Sequence, residues 1–126
     1  MFFSMMAFLN LSWNDTGMNN YEAFTSLDIR VGTVSKVEVN DKARKPSYKM
    51  WIDFGELGIK TSSGQYVNRY SQDELLGRQV VCITNLGERK IAGFASQVLV
   101  LGVESSPDVV NLLAVDGVVE NGSKIF

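Results

Sequence analysis

Two short apolar runs that enclose a polar connection are the feature that most limits how this chain can fold. Residues 80–84 (VVCIT) and 98–103 (VLVLGV) are rich in aliphatic residues and too short for buried helices, so we expect both to be strands of one core. The connection between them carries polar side chains: Asn85, Arg89, Lys90 and Ser96. A rigid pair of strands that presents a basic loop is a common way to build a binding site.

From Tyr21 onward the composition is that of a folded domain. A short helix or turn is predicted first, because three apolar residues share one face: Tyr21, Phe24 and Leu27. Ser26 or Asp28 is available to cap it. Residues 29–39 then alternate between apolar and polar side chains, which predicts a long, half-buried strand with a bulge or sharp coil at Gly32.

A hairpin is predicted next. Residues 48–54 alternate strictly, and four side chains would face the core: Tyr48, Met50, Ile52 and Phe54. The turn from Gly55 to Gly58 would lead into a third strand at residues 59–63. Trp51 lies on the opposite face of the second strand. It is either a packed surface or dimer contact, which we favour, or a stacking platform.

The second half of the chain completes the fold prediction. Residues 70–77 predict one short helix, with a capping box from Ser71 to Glu74 and a stop at Gly77. Residues 109–115 predict a further strand. The chain is therefore expected to be all-β, with five main strands, one short helix between strands three and four, and small C-terminal strands. That order matches an OB-fold, a five-stranded Greek-key barrel.

The first twenty residues have a different character from the rest. Residues 1–13 are apolar, but they fit neither a signal peptide nor a membrane span, so we expect no membrane insertion. Three interpretations stay open for this N-terminal extension (residues 1–20). It is a mis-assigned start upstream of Met18, a disordered tail, or an apolar arm that packs on a partner subunit. The folded domain is predicted over residues 21–126.

Composition excludes most catalytic chemistry. The chain has no histidine, which removes the commonest general base and metal ligand, and its one cysteine, Cys82, excludes an internal disulfide. We therefore predict no enzymatic activity, no metal and no cofactor. The net charge is only -2, yet residues 42–90 hold nine Lys or Arg against five acids. A local basic patch of this kind attracts phosphate, although a solvated surface explains the same charges.

Several segments together resemble the tRNA-binding domain family. They are LDIRVGTV at 27–34, GIKTSS at 58–63, VVCITNL at 80–86 and IAGFASQVLVLG at 91–102. Members of this family include free-standing dimeric tRNA-binding proteins and domains appended to some methionyl- and phenylalanyl-tRNA synthetases. With the IDFG run at 52–55, the likeness is greatest to the CsaA branch, described as secretion-related chaperones. The resemblance covers residues 21–126.

The resemblance implies a cytoplasmic OB-fold homodimer that binds tRNA or another structured RNA through the loop between strands four and five. The matching positions form the predicted RNA-binding set: Lys60, Ser62, Ser63, Asn85, Arg89, Lys90 and Ser96. Tyr66 or Tyr70 could add base stacking.

The CsaA branch also implies a second hypothesis, a chaperone that binds unfolded or preprotein segments. The apolar surface for such segments would come from Phe54, Trp51, Phe94 or the N-terminal arm. Taken one by one, these aromatic residues are better explained by packing at a dimer interface.

Overall fold

The structure is a computed structural model that describes residues 17–126. Its elements are, in chain order, the helix α1 (Asn20–Ser26), the strands β1 (Ile29–Asn40), β2 (Ser47–Asp53) and β3 (Ile59–Gly64), the helix α2 (Gln72–Leu75), and the strands β4 (Gln79–Ile83), β5 (Arg89–Ile91), β6 (Phe94–Ser96), β7 (Leu99–Val100), β8 (Gly102–Ser106) and β9 (Val109–Leu112). The interpretations of residues 1–16 lie outside the part of the chain that the structure describes.

Five strands form one antiparallel sheet in the order β3-β2-β1-β4-β7. The sheet curls until its ends meet, because the backbone N–H groups of Gln97 and Val98 both donate to the carbonyl of Thr61, at 2.7 and 3.1 Å. The helix α2 lies between the third and fourth strands, and β8 and β9 form a small C-terminal pair. The predicted all-β, OB-like fold is confirmed.

The interior of the curled sheet explains why β1 contains a glycine. Met50, Ile52 and Phe54 are each 0% exposed. A Cβ atom at Gly32 would lie 2.7 Å from the Cγ2 atom of Ile52 and 2.8 Å from the ring of Phe54, so only glycine lets β1 pass this closely over the core. The irregularity in strand pairing comes later, between Val34 and Lys36. The predicted coil is therefore explained by a close approach, and the bulge prediction at Gly32 is wrong by a few residues.

Both helices are short and begin with capping boxes. In α2 the Ser71 hydroxyl accepts from the backbone N–H of Glu74 at 3.2 Å, and the Glu74 carboxylate accepts from the backbone N–H of Ser71 at 2.9 Å, as predicted. In α1 the same exchange joins Asn19 and Glu22. The prediction that Ser26 or Asp28 caps the first helix is wrong, because a polar pair earlier in the chain already does so.

The segment predicted as one strand over residues 98–103 is divided into β7 and β8. Leu101 lies at the division: its N–H donates to Val81 at 2.9 Å, and its carbonyl accepts from Leu113 at 3.1 Å. The chain thus leaves β4 and starts the separate β8–β9 hairpin. β9 ends at Leu112, earlier than the predicted Val115.

The C-terminal segment returns to β1 and closes a second, smaller apolar cluster. The backbone N–H of Val31 donates to Ser123 at 2.9 Å, and that of Ile125 donates to Ile29 at 2.8 Å. Behind these bonds Ile29, Val31 and Val81 are buried. This packing fixes the first half of β1 and leaves its second half, from Thr33 onward, to pair with β2.

Candidate nucleic-acid interface

A rigid hairpin replaces the polar connection expected between the two apolar runs. β5 pairs with β6, and Arg89 lies opposite Ser96. The turn consists of Ala92 and Gly93, whose φ angles of 49° and 83° are both positive, as two-residue hairpin turns of type I′ require. The hairpin therefore presents its cations from a defined backbone.

Contacts at both ends of the hairpin hold it against the sheet. At its base the Ser96 hydroxyl accepts from the backbone N–H of Ser63 at 3.1 Å. Near its tip the Asn40 side-chain amide donates to the Ile91 carbonyl at 3.4 Å. The hairpin is thus fixed to β3 and to the end of β1. It lies beside the outer face of the sheet, which is the face that carries Lys49 and Trp51 of β2.

Strand pairing decides which polar residues share that outer face. Residues directly opposite each other in an antiparallel pair lie on the same side of the sheet. Lys49 pairs with Ser63, and Ser63 is joined to Ser96, which pairs with Arg89. A series of contacts therefore runs across β2, β3, β6 and β5 and joins the five-stranded sheet to the separate β5–β6 pair, with a cationic residue at each end. Lys90 is adjacent to Arg89 and pairs with Ala95, so it projects from the other face of the hairpin.

The outer face also carries an aromatic pair. The rings of Trp51 and Phe94 meet edge to face, with centroids 5.4 Å apart and planes inclined by 71°. The Lys36 ammonium lies 4.6 Å from the Trp51 ring centroid, and that of Lys49 lies 5.6 Å from the Phe94 centroid. Both rings are partly exposed. Trp51 thus packs, as we favoured, but against a ring of its own chain.

The structure separates Lys60 and Ser62 from the rest of the predicted RNA-binding set. They pair with Ile52 and Met50, so they lie on the core face of β3. Ser62 is only 2% exposed, which corrects its assignment as an RNA contact, because its hydroxyl does not reach the surface. The Ser63 hydroxyl is also covered and, within the described residues, lacks a hydrogen-bond partner.

Asn85 is exposed, but both ends of its side chain are engaged. Its carbonyl oxygen accepts from the backbone N–H of Asp28 at 2.8 Å, and its amide donates to the carbonyl of Ser26 at 2.9 Å. These bonds tie the connection between α1 and β1 to the residues that follow β4. The local geometry gives Asn85 a structural role.

Three aromatic predictions are wrong because the side chains are buried. Tyr66 and Tyr70 are 7% and 3% exposed, so neither can stack on an RNA base. The Tyr70 hydroxyl instead accepts from the backbone N–H of Leu112 at 3.0 Å. Phe54, proposed for a peptide-binding surface, lies in the core with no exposure.

Sequence reasoning missed the loop between β1 and β2 as part of the site. A cleft of about 410 Å³ separates this loop from the hairpin tip. Three cationic residues contribute to its lining: Lys42, Arg44 and Lys45. Ile91 and Ala92 line it from the hairpin side. The excess of positive charge in this part of the chain was the available signal, and it did not reveal that the loop and the hairpin are neighbours.

The titratable groups with shifted pKa values lie away from this surface. Burial raises the pKa of the Cys82 thiol to about 12, so the thiol stays protonated inside β4. A hydrogen bond donated by the Thr84 hydroxyl, with Arg30 as a further contributor, lowers the pKa of Asp28. No set of three His, Cys, Asp or Glu side chains within residues 17–126 is placed to hold a metal ion. In the same range, no helix combines the length and apolar character needed to cross a bilayer.

A curled five-stranded antiparallel sheet with a helix between its third and fourth strands places the chain in the OB-fold class, whose members include many domains that bind oligonucleotides. The profile of the family described as "Putative tRNA binding domain" matches residues 29–124. The CsaA chaperone of Bacillus anthracis is 41% identical and superimposes with a TM-score of 0.79, covering 86% of this chain and 99% of that one. The CsaA chaperone protein of Picrophilus torridus is 42% identical with the same TM-score, covering 86% of this chain and all of that one (100%).

The methionine–tRNA ligase of Methanococcus vannielii is 38% identical over 104 residues, which is 82% of this chain. The chain spans only 15% of the length of that ligase. Taken together, these similarities show that the chain belongs to the tRNA-binding domain family, as a CsaA-like member.

Proposed function

We propose that this protein binds tRNA, or another structured RNA, without catalysing a reaction on it. The main contacts would be phosphate contacts from Arg89 on the hairpin and Lys49 on β2, and Lys90 would add a contact from the other face of the hairpin. The cationic loop between β1 and β2 would extend the same surface across the cleft. Since tRNA is the proposed partner, the proposed location is the cytoplasm.

The observation that carries this proposal is the series of contacts formed by Lys49, Ser63, Ser96 and Arg89 across four strands. Two cations held at fixed backbone positions suit a ligand with repeated negative charges. Ser63 and Ser96 contribute by locking the hairpin to β3. Lys60 and Asn85 are left out of the proposed contacts, since one lies on the core face and the other braces a junction.

The test is a titration of bulk tRNA over a series of salt concentrations. Each phosphate contact contributes about 0.7–0.9 to the slope of log affinity against log salt. The double variant Arg89→Ala, Lys90→Ala should therefore bind more weakly and flatten that slope by about 1.4–1.8. An unchanged slope in the double variant would mean that the hairpin cations are ordinary surface charges.

A matched control separates local contacts from net charge. Lys124 is exposed, and its backbone pairs with that of Arg30, at the opposite end of β1 from the hairpin tip. Lys124→Ala removes the same charge as Arg89→Ala, so we expect only the second variant to change the slope. Equal changes of the salt slope in both variants would mean that the effect depends only on net charge. That result would refute the assigned surface.

A second candidate function is a chaperone for unfolded or preprotein segments, and the likeness to two CsaA chaperones favours it. Exposed apolar side chains suited to such a role occur along the whole described part of the chain, and its C-terminal part contributes five of them: Val103, Leu113, Val115, Val118 and Phe126. Suppression of aggregation of a denatured client measures this activity. If tRNA relieves that suppression, the two ligands share a surface.

The same apolar side chains support a homodimer. A second copy that covers them would bring two cationic surfaces into one particle, which raises the avidity for one RNA without new contacts. A sizing column with light scattering measures the mass directly. A single-chain mass at micromolar concentration would refute the dimer and leave the apolar residues available to clients.

A further inference from the structure

We propose that Trp51 and Phe94, with Lys36 and Lys49, form a stacking subsite for an unpaired nucleotide. This inference rests on the proposed RNA-binding function and narrows its substrate class. The surface would engage single-stranded segments, such as a loop or an end of a structured RNA, in preference to its duplex parts.

Aromatic rings and cations alternate across this patch. Lys36 lies over Trp51 and Lys49 lies over Phe94, at 4.6 and 5.6 Å, and the two rings touch each other. Surfaces that bind single strands combine aromatic rings for the bases with cations for the phosphates between them. Here both are found within one patch, beside the series of contacts that ends at Arg89.

A replaceable group, the Lys36 ammonium, lies over the Trp51 ring. The Lys36 side chain is 58% exposed and also pairs with Glu38 at 3.2 Å. A cation–π contact at an exposed site is weaker than stacking of a base on an aromatic ring. An incoming base can therefore displace the ammonium, and Lys36 remains close enough to pair with the phosphate of the same nucleotide.

Only RNA segments with unpaired bases can stack on these rings. Bases inside a duplex already stack on their neighbours, so their faces are unavailable to protein side chains. Cations bind duplex and single strand alike, because both carry phosphates. The acids on this face, Glu38 and Asp53, are each engaged within the protein, by Lys36 and by the backbone N–H of Gly55. The rings therefore provide the preference for unpaired bases.

The experiment uses tryptophan fluorescence. The chain has two tryptophans, so Trp13→Phe leaves Trp51 as the sole reporter. An oligouridylate of about twelve nucleotides, within the site size of an OB-fold, should quench Trp51 on binding. A uridylate–adenylate duplex of the same length should bind through phosphate contacts without comparable quenching.

Substitutions give an independent readout. Trp51→Leu keeps an apolar side chain but removes the ring, and it should weaken oligouridylate binding about 5- to 100-fold without changing the salt slope. Trp51→Tyr should restore most of that affinity. Equal quenching by both probes, or no quenching despite salt-dependent binding of both, overturns the stacking subsite and leaves the proposed function standing. If neither probe binds and tRNA does not bind either, the stacking subsite and the proposed function are both overturned.

Discussion

Removing the Asn85 side-chain amide should destabilise the protein without affecting how it contacts RNA phosphates. The amide makes two hydrogen bonds, to the backbone N–H of Asp28 at 2.8 Å and to the carbonyl of Ser26 at 2.9 Å. Both link the end of α1 to the residues after β4. Two of the four hydrogen bonds that an asparagine amide can make are thus used to hold the fold together.

The size of the effect follows from those bonds. Each contributes about 0.5–1.5 kcal/mol net, and exposure to water favours the lower half of that range. Asn85→Ala should therefore lower the free energy of unfolding by about 1–2 kcal/mol. With a urea dependence of about 1–3 kcal/mol per molar, the denaturation midpoint should fall by about 0.3–2 M.

Asn85→Asp is the matched comparison. A carboxylate still accepts from the N–H of Asp28, but it cannot donate to Ser26 and it adds a negative charge beside the Asp28 side chain. We expect it to destabilise at neutral pH by more than Asn85→Ala does. The reasoning is refuted if Asn85→Ala leaves the urea midpoint unchanged while reducing the affinity for tRNA, since that result would assign the amide to the ligand.

Four further outcomes are expected. Gly32→Ala forces a methyl group against the core and should cost about 1–3 kcal/mol in urea denaturation. Ala92→Asn creates an Asn-Gly turn and should add about 0.5–1 kcal/mol in the same assay, because asparagine tolerates a positive φ. The Thr84 hydroxyl stabilises the ionised form of Asp28, whose pKa is lowered, so the advantage of wild type over Asp28→Asn should be present at pH 7 and shrink as the pH falls below about 4. Cys82, with its pKa raised to about 12, should resist iodoacetamide at pH 8 until urea unfolds the chain.

The sequence predicted the strands well where each strand buries one face. β2 alternates strictly, so the pattern itself identified Met50 and Ile52 as core residues. The capping box of α2 depends only on residues three apart, so it could also be predicted from the sequence. In both cases the information is local, which is why it could be read without knowing the partner strands.

The hairpin of β5 and β6 could not be predicted in the same way. Its strands have three residues each, too few for a periodic signal, and Ala92 in the turn does not favour a positive φ. What stabilises it is the contact with Asn40 and Ser63, far away in the sequence. For the same reason, the sequence did not show that the cationic loop between β1 and β2 lies close to the hairpin.

The composition of the outer face is a consequence of core packing. The turn closed by the hydrogen bond from the Phe54 N–H to Gly58, at 3.0 Å, sets the register of β3 against β2. With Ile52 and Met50 buried, that register places Lys60 and Ser62 on the core face, although their residue types suit an RNA contact. A slip of one residue would exchange the two faces of β3. Such a slip would also expose the side chains on the core side of β3. The burial of one face of β2 therefore determines which polar side chains of β3 can contact a ligand.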